Sequence, residues 1–361
     1  MMSNAIRIES IEQFVEQISK LELLKNHTRF FRGHSDKKYL LEPSIYRKNK
    51  DTGKQELIKS EHLITKDVLT ECAEYFSPHD TLFDKLVKMQ HYDYPTRLLD
   101  ISYNALVGLY FAVNNNYGKD KKTVNCQECN QENIINDDLK NGEVIIFDIP
   151  SSQIKYHDSD TVAILSALSL QNNDFDIELY QKISQENLLN NLDILRRNME
   201  KNPNFLLDNT LSPERLSKEV DDKVHQRNCL SFNNSPFNAI NNELNKIQEI
   251  INLLNDIRKD KPYFLSNIDY RDFYKVICVK PRLNNPRIAK QQGAFLIFGI
   301  QSNKTSQANV NPEWIRARFM IDASKKGYIL KQLEYCGINH QTLFPELDKQ
   351  AKHIISRYVE I

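Results

Sequence analysis

Glycine is scarce in this chain. There are 9 in 361 residues, and no two of them fall into a phosphate-cradling cluster. That excludes a P-loop and a dinucleotide fingerprint, both of which need clustered glycines for close backbone approach. The six cysteines (Cys72, Cys126, Cys129, Cys229, Cys278, Cys336) are scattered apart from one Cys-x-x-Cys. This usage suits reduced thiols in a cytoplasm better than a disulfide framework. Net charge is also missing, because Lys plus Arg and Asp plus Glu number 48 each. No global field therefore draws in nucleic acid or an anionic membrane, although a local basic groove stays open. No run approaches the ~18 apolar residues of a membrane span, and MMSNAIRIES has no apolar signal core. Neither Gly-x-Ser-x-Gly nor His-Glu-x-x-His occurs, so serine-hydrolase and zincin chemistry have no support.

What is present reads as an α+β chain: one mixed-sheet domain with an N-terminal helix and a helical insertion. Ile11, Phe14, Val15, Ile18 and Leu21 mark an amphipathic helix within residues 1–26. FFRG (30–33) predicts a short strand running into a turn at Gly33. Residues 55–76 and 82–91 read as helices, and Leu106, Leu109, Tyr110 and Val113 as a buried one. VIIFDI (144–149), FYKVICV (273–279), AFLIFGI (294–300) and RARFMI (316–321) read as strands. Between them, 170–268 is rich in Asn, Gln and charge with helical periodicity. Ile240, Leu244, Ile247, Ile251 and Leu254 step by four and three there, which suits packing on the body or on a second subunit. The main body is thus split into 27–169 and 269–361. Two helices close the chain, one near 323–335 ending at Gly337 and one starting at Pro345.

Three polar groupings could carry chemistry. Arg32 ends the FFRG strand, where a planar guanidinium fork suits phosphate or carboxylate, and Gly33 would let a ligand approach the backbone. A structural ion pair with Asp100 is the plainer role. QHYDYPTRLLD (90–100) crowds Gln90, His91, Arg97 and Asp100 among apolar residues. Pro95 makes Tyr94 extended, so a helix should end near His91 and restart after Asp100. His91 could serve as acid, base or ligand donor, or be a satisfied core histidine. Tyr92 and Tyr94 could stack on a planar ligand or pack in the core. Asp100 is expected to be buried with Arg97 or Arg32, because an unpaired buried carboxylate is costly; it could equally cap the following helix. In RIAKQQGAFLIFG (287–299), Gln291 or Gln292 could hydrogen-bond a ribose or base edge, or cap the strand. Cys126 and Cys129 are either two solvent-facing thiols or half of a zinc knuckle, and no metal is expected.

The blocks FFRG, YLLEPSIYR, MQHYDYPTRLLDISYNALVGLYFAV, RIAKQQGAF and ASKKGYILKQLEYCGINHQTLFPELDKQAKHI, in that order, resemble the FRG domain, a bacterial and phage family named for its Phe/Tyr-Arg-Gly motif. The resemblance covers 29–115 and 273–356. It departs at Asp93, where the family has Gly, and at Ile101, where it has Trp; an aspartate at 93 would narrow or charge a pocket that Gly leaves open. The order of motifs is more distantly similar to that of ADP-ribosyltransferases. By that similarity Arg32 would anchor NAD, His91 with Thr96 would support the nicotinamide ribose, and Gln292 would stabilise the sugar transition state. The chain would then be an ADP-ribosyltransferase or NAD glycohydrolase in a toxin or phage-defence setting, with NAD as substrate. The alternative is a non-catalytic module. Arg32, His91 and Arg97 would then hold a nucleotide or an acidic peptide, and helices at 238–258 would bind a protein partner or a second copy.

Overall fold

A computed structural model describes residues 6–114, 140–177, 247–265, 268–356 and 358. Cys126, Cys129, Ile240 and Leu244 lie outside them, as do 178–246 of the expected insertion. Eight strands form one open mixed sheet: β1 (Ile6–Ile8), β2 (His27–His34), β3 (Leu98–Ser102), β4 (Gly142–Pro150), β5 (Ile154–Tyr156), β6 (Val276–Lys280), β7 (Gly293–Phe298) and β8 (Ile315–Ile321). Their order is β1-β8-β4-β2-β3-β7-β6-β5. The β1–β8 and β6–β5 pairs at the two edges are parallel, and the inner pairs are antiparallel. Strands from the early and late thirds of the chain thus share one sheet, with β3 beside β7 at its centre. The helices are α1 (Ile11–Ser19), α2 (Glu61–Glu71), α3 (Leu82–His91), α4 (Ala105–Val113), α5 (Asp160–Ala167), α6 (Gln248–Asp260), α7 (Pro286–Gln291), α8 (Lys326–Tyr335), α9 (His340–Leu343) and α10 (Leu347–Ser356).

Alternation along the strands divides the core into layers. Phe31, Val144, Ile146 and Phe319 pack with Phe14, Val107 and Ile329 beneath α1, α4 and α8. On the same face but beyond β3, Leu98, Phe295 and Ile297 pack with Phe83, Leu165 and Leu254 from α3, α5 and α6. The intervening residues Phe30, Leu99, Ile101, Ile145, Phe147 and Leu296 form a third cluster on the opposite face, with Trp314 and Leu41 against it. In α6 the buried stripe is Ile250, Leu253, Leu254 and Ile257; of the expected seam Leu254 is in it, Ile247 packs beside it and Ile251 does not join it, and the stripe faces the chain's own core.

Two local expectations are corrected. Gly33 does not end a strand: β2 runs on through His34, paired with β4 from His27↔Pro150 to His34↔Glu143. Nor does Asp100 cap the helix that restarts after it: Leu98–Ser102 is strand β3, and the cap of α4 is Asn104, whose Oδ1 accepts from the Leu106 and Val107 amides.

Candidate anion-binding site

Phe31 and Gly33 face α4, so alternation along β2 turns Arg32 and His34 to the opposite face. Cross-strand register puts Ile145 and then Arg318 beside Arg32, and Glu143 beside His34. The only register pair between β2 and β3 is Phe31↔Ser102. The Arg32 guanidinium reaches across from β2 to β3, and its Nη1 donates to the Asp100 carbonyl at 2.5 Å. Its Nε donates to His34 Nε2 at 3.0 Å. Both acceptors are uncharged. Guanidinium carries five N–H donors, so both hydrogens of Nη2 and the second of Nη1 have no partner among the described residues. No carboxylate forms an ion pair with Arg32 among them.

The electrostatics match this reading. Burial pulls the Arg32 pKa down to about 10; Asp100 raises it and Arg47 lowers it, and the group stays cationic at neutral pH. His34, only 3% exposed, is pushed down to about 2 by burial and by the positive fields of Arg32, Arg318 and Arg47. It is a neutral imidazole. Because its Nε2 accepts from Arg32, its proton sits on Nδ1, with Glu143 Oε2 4.0 Å away. Glu143 in turn accepts from Arg318 Nη1 at 2.8 Å. Two guanidinium groups, Arg32 and Arg47, therefore stand near each other with no carboxylate paired to either among the described residues. His34 escaped the reading of the sequence because the strand was expected to stop at Gly33; the period-two spacing from Arg32 was the signal.

Of the other residues singled out in the sequence, Asp100 meets Arg32 through its backbone carbonyl. Asp100 is exposed, not buried; its Oδ2 accepts from Gln90 Nε2 at 2.6 Å. It lies on the side of β3 that the two helix-covered clusters flank. Arg97, at 0% exposure, is a core residue: Nε and Nη2 grip Glu61 at 2.9 and 2.5 Å, and Nη1 donates to the Phe298 carbonyl at 3.1 Å. Thr96 is buried and latches the turn, donating to Gln90 Oε1 and accepting from the Leu98 amide at 3.2 Å. Gly33 admits no ligand to the backbone, because α4 fills that space: a Cβ there would lie 2.0 Å from the Gly108 carbonyl oxygen.

His91 and Tyr92 line a separate cleft of about 390 Å³ with Asp93, Asn285, Arg287, Glu346 and Lys349. Neither Arg32 nor Gln292 lines it. Asn285 Nδ2 donates to His91 Nδ1 at 2.7 Å, and Arg287 Nη1 donates to the His91 carbonyl at 3.2 Å. Burial first, then Arg287, lowers the His91 pKa to about 4, with Asp100 opposing. Asp93 stands at φ 64°, a left-handed position where glycine is at ease and aspartate is tolerated. Its carboxylate lies 3.6 Å from Lys349 Nζ. Gln292 is likewise left-handed, at φ 45°, where it closes α7; its carbonyl accepts from the Tyr103 amide at 3.0 Å. Gln291 Nε2 donates to the Leu343 carbonyl at 3.0 Å. Among the described residues no group of three or more His, Cys, Asp or Glu side chains is placed to hold a metal ion, and no helix is long and apolar enough to cross a membrane.

His34 and His91 together predict acid sensitivity. Both are held well below their ordinary value of 6.5, to about 2 and about 4. Below that value the unfolded chain takes up protons that the folded chain refuses. Their contribution is therefore complete above about pH 6.5 and is lost as pH falls, at about 1.4 kcal/mol per pH unit for each histidine. Urea unfolding at several pH values should show this slope, and His34→Gln should remove close to half of it. Stability that stays flat down to pH 5 would contradict the assignment.

A model of the FRG domain matches residues 27–121, which span β2, α2, α3, β3 and α4 and include both FFRG and QHYDYPTRLLD. RIAKQQGAF lies outside the matched residues. No curated protein and no solved structure matches the chain, and nothing matched links it to ADP-ribosyltransferases.

Proposed function

Since the chain carries an FRG domain over residues 27–121, we propose that this domain is a binding module gripping the phosphate of a nucleotide or NAD-like small molecule at Arg32. One observation carries the reading. Arg32 is fixed through two neutral acceptors while three of its N–H groups remain unclaimed among the described residues. A guanidinium retained only for stability would be expected to sit in a carboxylate fork, as Arg97 does with Glu61. Arg47 adds a second positive field beside it, and such a pair is relieved when a phosphate enters.

The NAD-consuming reading, with its toxin or phage-defence setting, asks more of the site. It requires Arg32, His91 and Gln292 to act on one substrate. His91 lines the cleft between α3 and α7, and neither of the other two borders it. The binding module is therefore the better supported of the two.

Calorimetric titration with NAD, ATP and inorganic pyrophosphate tests the proposal. Arg32→Lys keeps the charge but loses the planar fork. It should weaken phosphate binding by ~1–3 kcal/mol and leave the melting temperature unchanged. Absence of binding by the parent to all three compounds would end the reading. Nicotinamide release from NAD by the parent would turn it into the enzyme.

A further inference from the structure

We infer that His34 is the positioning residue of this site: it orients the Arg32 fork without cancelling its charge, which adapts the site to a phosphate dianion. The inference rests on the reading of Arg32 as the anion grip. Arg32 Nε donates to His34 Nε2 at 3.0 Å, so this hydrogen bond sets the plane of the guanidinium. A carboxylate in the same position would make a stronger bond, but it would neutralise the cation and compete with the ligand. A neutral imidazole fixes the direction and leaves the positive potential in place.

The surroundings hold His34 in that form. On its own strand is Arg32; from β4 comes Glu143; from β8 comes Arg318; from the following loop come Arg47 and Tyr39. The Tyr39 ring meets the imidazole edge-on, with centroids 6.2 Å apart. The three arginines all oppose protonation of His34. Glu143 would favour it, yet its carboxylate stops 4.0 Å from Nδ1 and is held by Arg318 at 2.8 Å. The Nδ1–H is buried and makes no hydrogen bond among the described residues. An unmet buried donor is costly, and here it accompanies an imidazole whose other nitrogen is committed to Arg32. Asp100 offsets part of the Arg32 charge, but with no carboxylate in an ion pair with Arg32 or Arg47 among the described residues the site favours pyrophosphate or a phosphomonoester over a monocarboxylate.

The test is a double-mutant cycle read by calorimetric titration with inorganic pyrophosphate, with acetate as the monocarboxylate control. His34→Leu should weaken pyrophosphate binding about tenfold, the effect of losing one hydrogen bond to a charged group. His34→Gln, which keeps a neutral acceptor, should stay within about threefold of the parent. In an Arg32→Ala background His34→Leu should have no further effect, because a residue acting through Arg32 has nothing left to position. If the leucine variant does not fold, His34→Asn, an amide too short to reach Nε, takes its place. Equal binding by parent, Leu and Gln variants would overturn the inference and leave the Arg32 reading standing; so would additive losses in the cycle. Absence of pyrophosphate binding by the folded parent would instead remove the Arg32 reading, and the inference with it.

Discussion

Glu61→Ala should unfold or nearly unfold this protein, because the Glu61 side chain is buried among charges. Its carboxylate serves two buried cations. Arg97 donates through Nε at 2.9 Å and Nη2 at 2.5 Å, and Lys304 Nζ lies 3.3 Å from Oε2. Both cations are at 0% exposure. Burial is the largest influence on Lys304 and lowers its pKa to about 8, with Glu61 opposing. Burial would lower Arg97 as well, but Glu61 and Tyr46 hold it above its ordinary value. Without Glu61, two uncompensated positive charges would remain in the core, and breaking a buried ion pair in this way costs about 3–5 kcal/mol. The network joins the start of α2, the start of β3 and the turn after β7, with Tyr46 Oη donating to the Lys304 carbonyl at 3.2 Å. The loss should therefore be global. Replacing all three charged residues together, by Glu61→Leu, Arg97→Met and Lys304→Met, should recover much of the stability, since an apolar triad has no desolvation cost. Denaturant unfolding decides it: a single alanine variant within about 1 kcal/mol of the parent would show that water reaches the cluster.

This network also shows where the sequence was legible and where it was not. Continuous apolar runs such as VIIFDI and AFLIFGI announce buried strands, and both are strands. The α+β class and the mixed sheet follow from such runs. LLDIS was harder. Its helix-side residues are Leu98, Asp100 and Ser102, and Asp100 is exposed because β3 crosses between two helix-covered clusters. A central strand with an exposed carboxylate in its middle does not read as a buried run. Arg97 and Asp100 look alike in sequence, three residues apart in one polar block. Only the fold separates them, by pairing Arg97 with a glutamate 36 residues earlier and leaving Asp100 to solvent. For the glutamines the sequence left two roles open, a ligand contact or a turn before the strand, for a local reason: a left-handed residue closing a six-residue helix, as Gln292 does, leaves no trace in hydrophobic period. His34 shows the reverse error: ending β2 one residue early hid the partner of Arg32.

The glycine of the Arg-Gly pair should prove as sensitive as the buried ion network, and for reasons of packing alone. An ideal Cβ on Gly33 would lie 2.0 Å from the Gly108 carbonyl oxygen, 2.5 Å from the Ala112 nitrogen and 2.9 Å from the Phe111 carbonyl carbon. All three are backbone atoms of α4, so no side chain can rotate away. The partner position is already minimal, since a Cβ on Gly108 would come within 2.8 Å of Phe31 Cβ. Gly33→Ala must therefore lift α4 off β2 and open the cluster that Phe31, Val107 and Ile146 share. Overpacking of this kind costs about 1–3 kcal/mol and sometimes more, and contact with unyielding backbone belongs at the upper end. The same substitution at Gly293 meets nothing nearer than 3.5 Å, from the Ile288 side chain, and should be tolerated. The two residues of the pair thus serve opposite faces of one strand: Gly33 lets the helix close on β2, and Arg32 on the other side stands where that closure holds it. Gly33→Ala should lower thermal stability and, by shifting β2, weaken phosphate binding as well. A Gly33→Ala variant that melts with the Gly293→Ala control would refute the close contact and return Gly33 to the role of admitting a ligand.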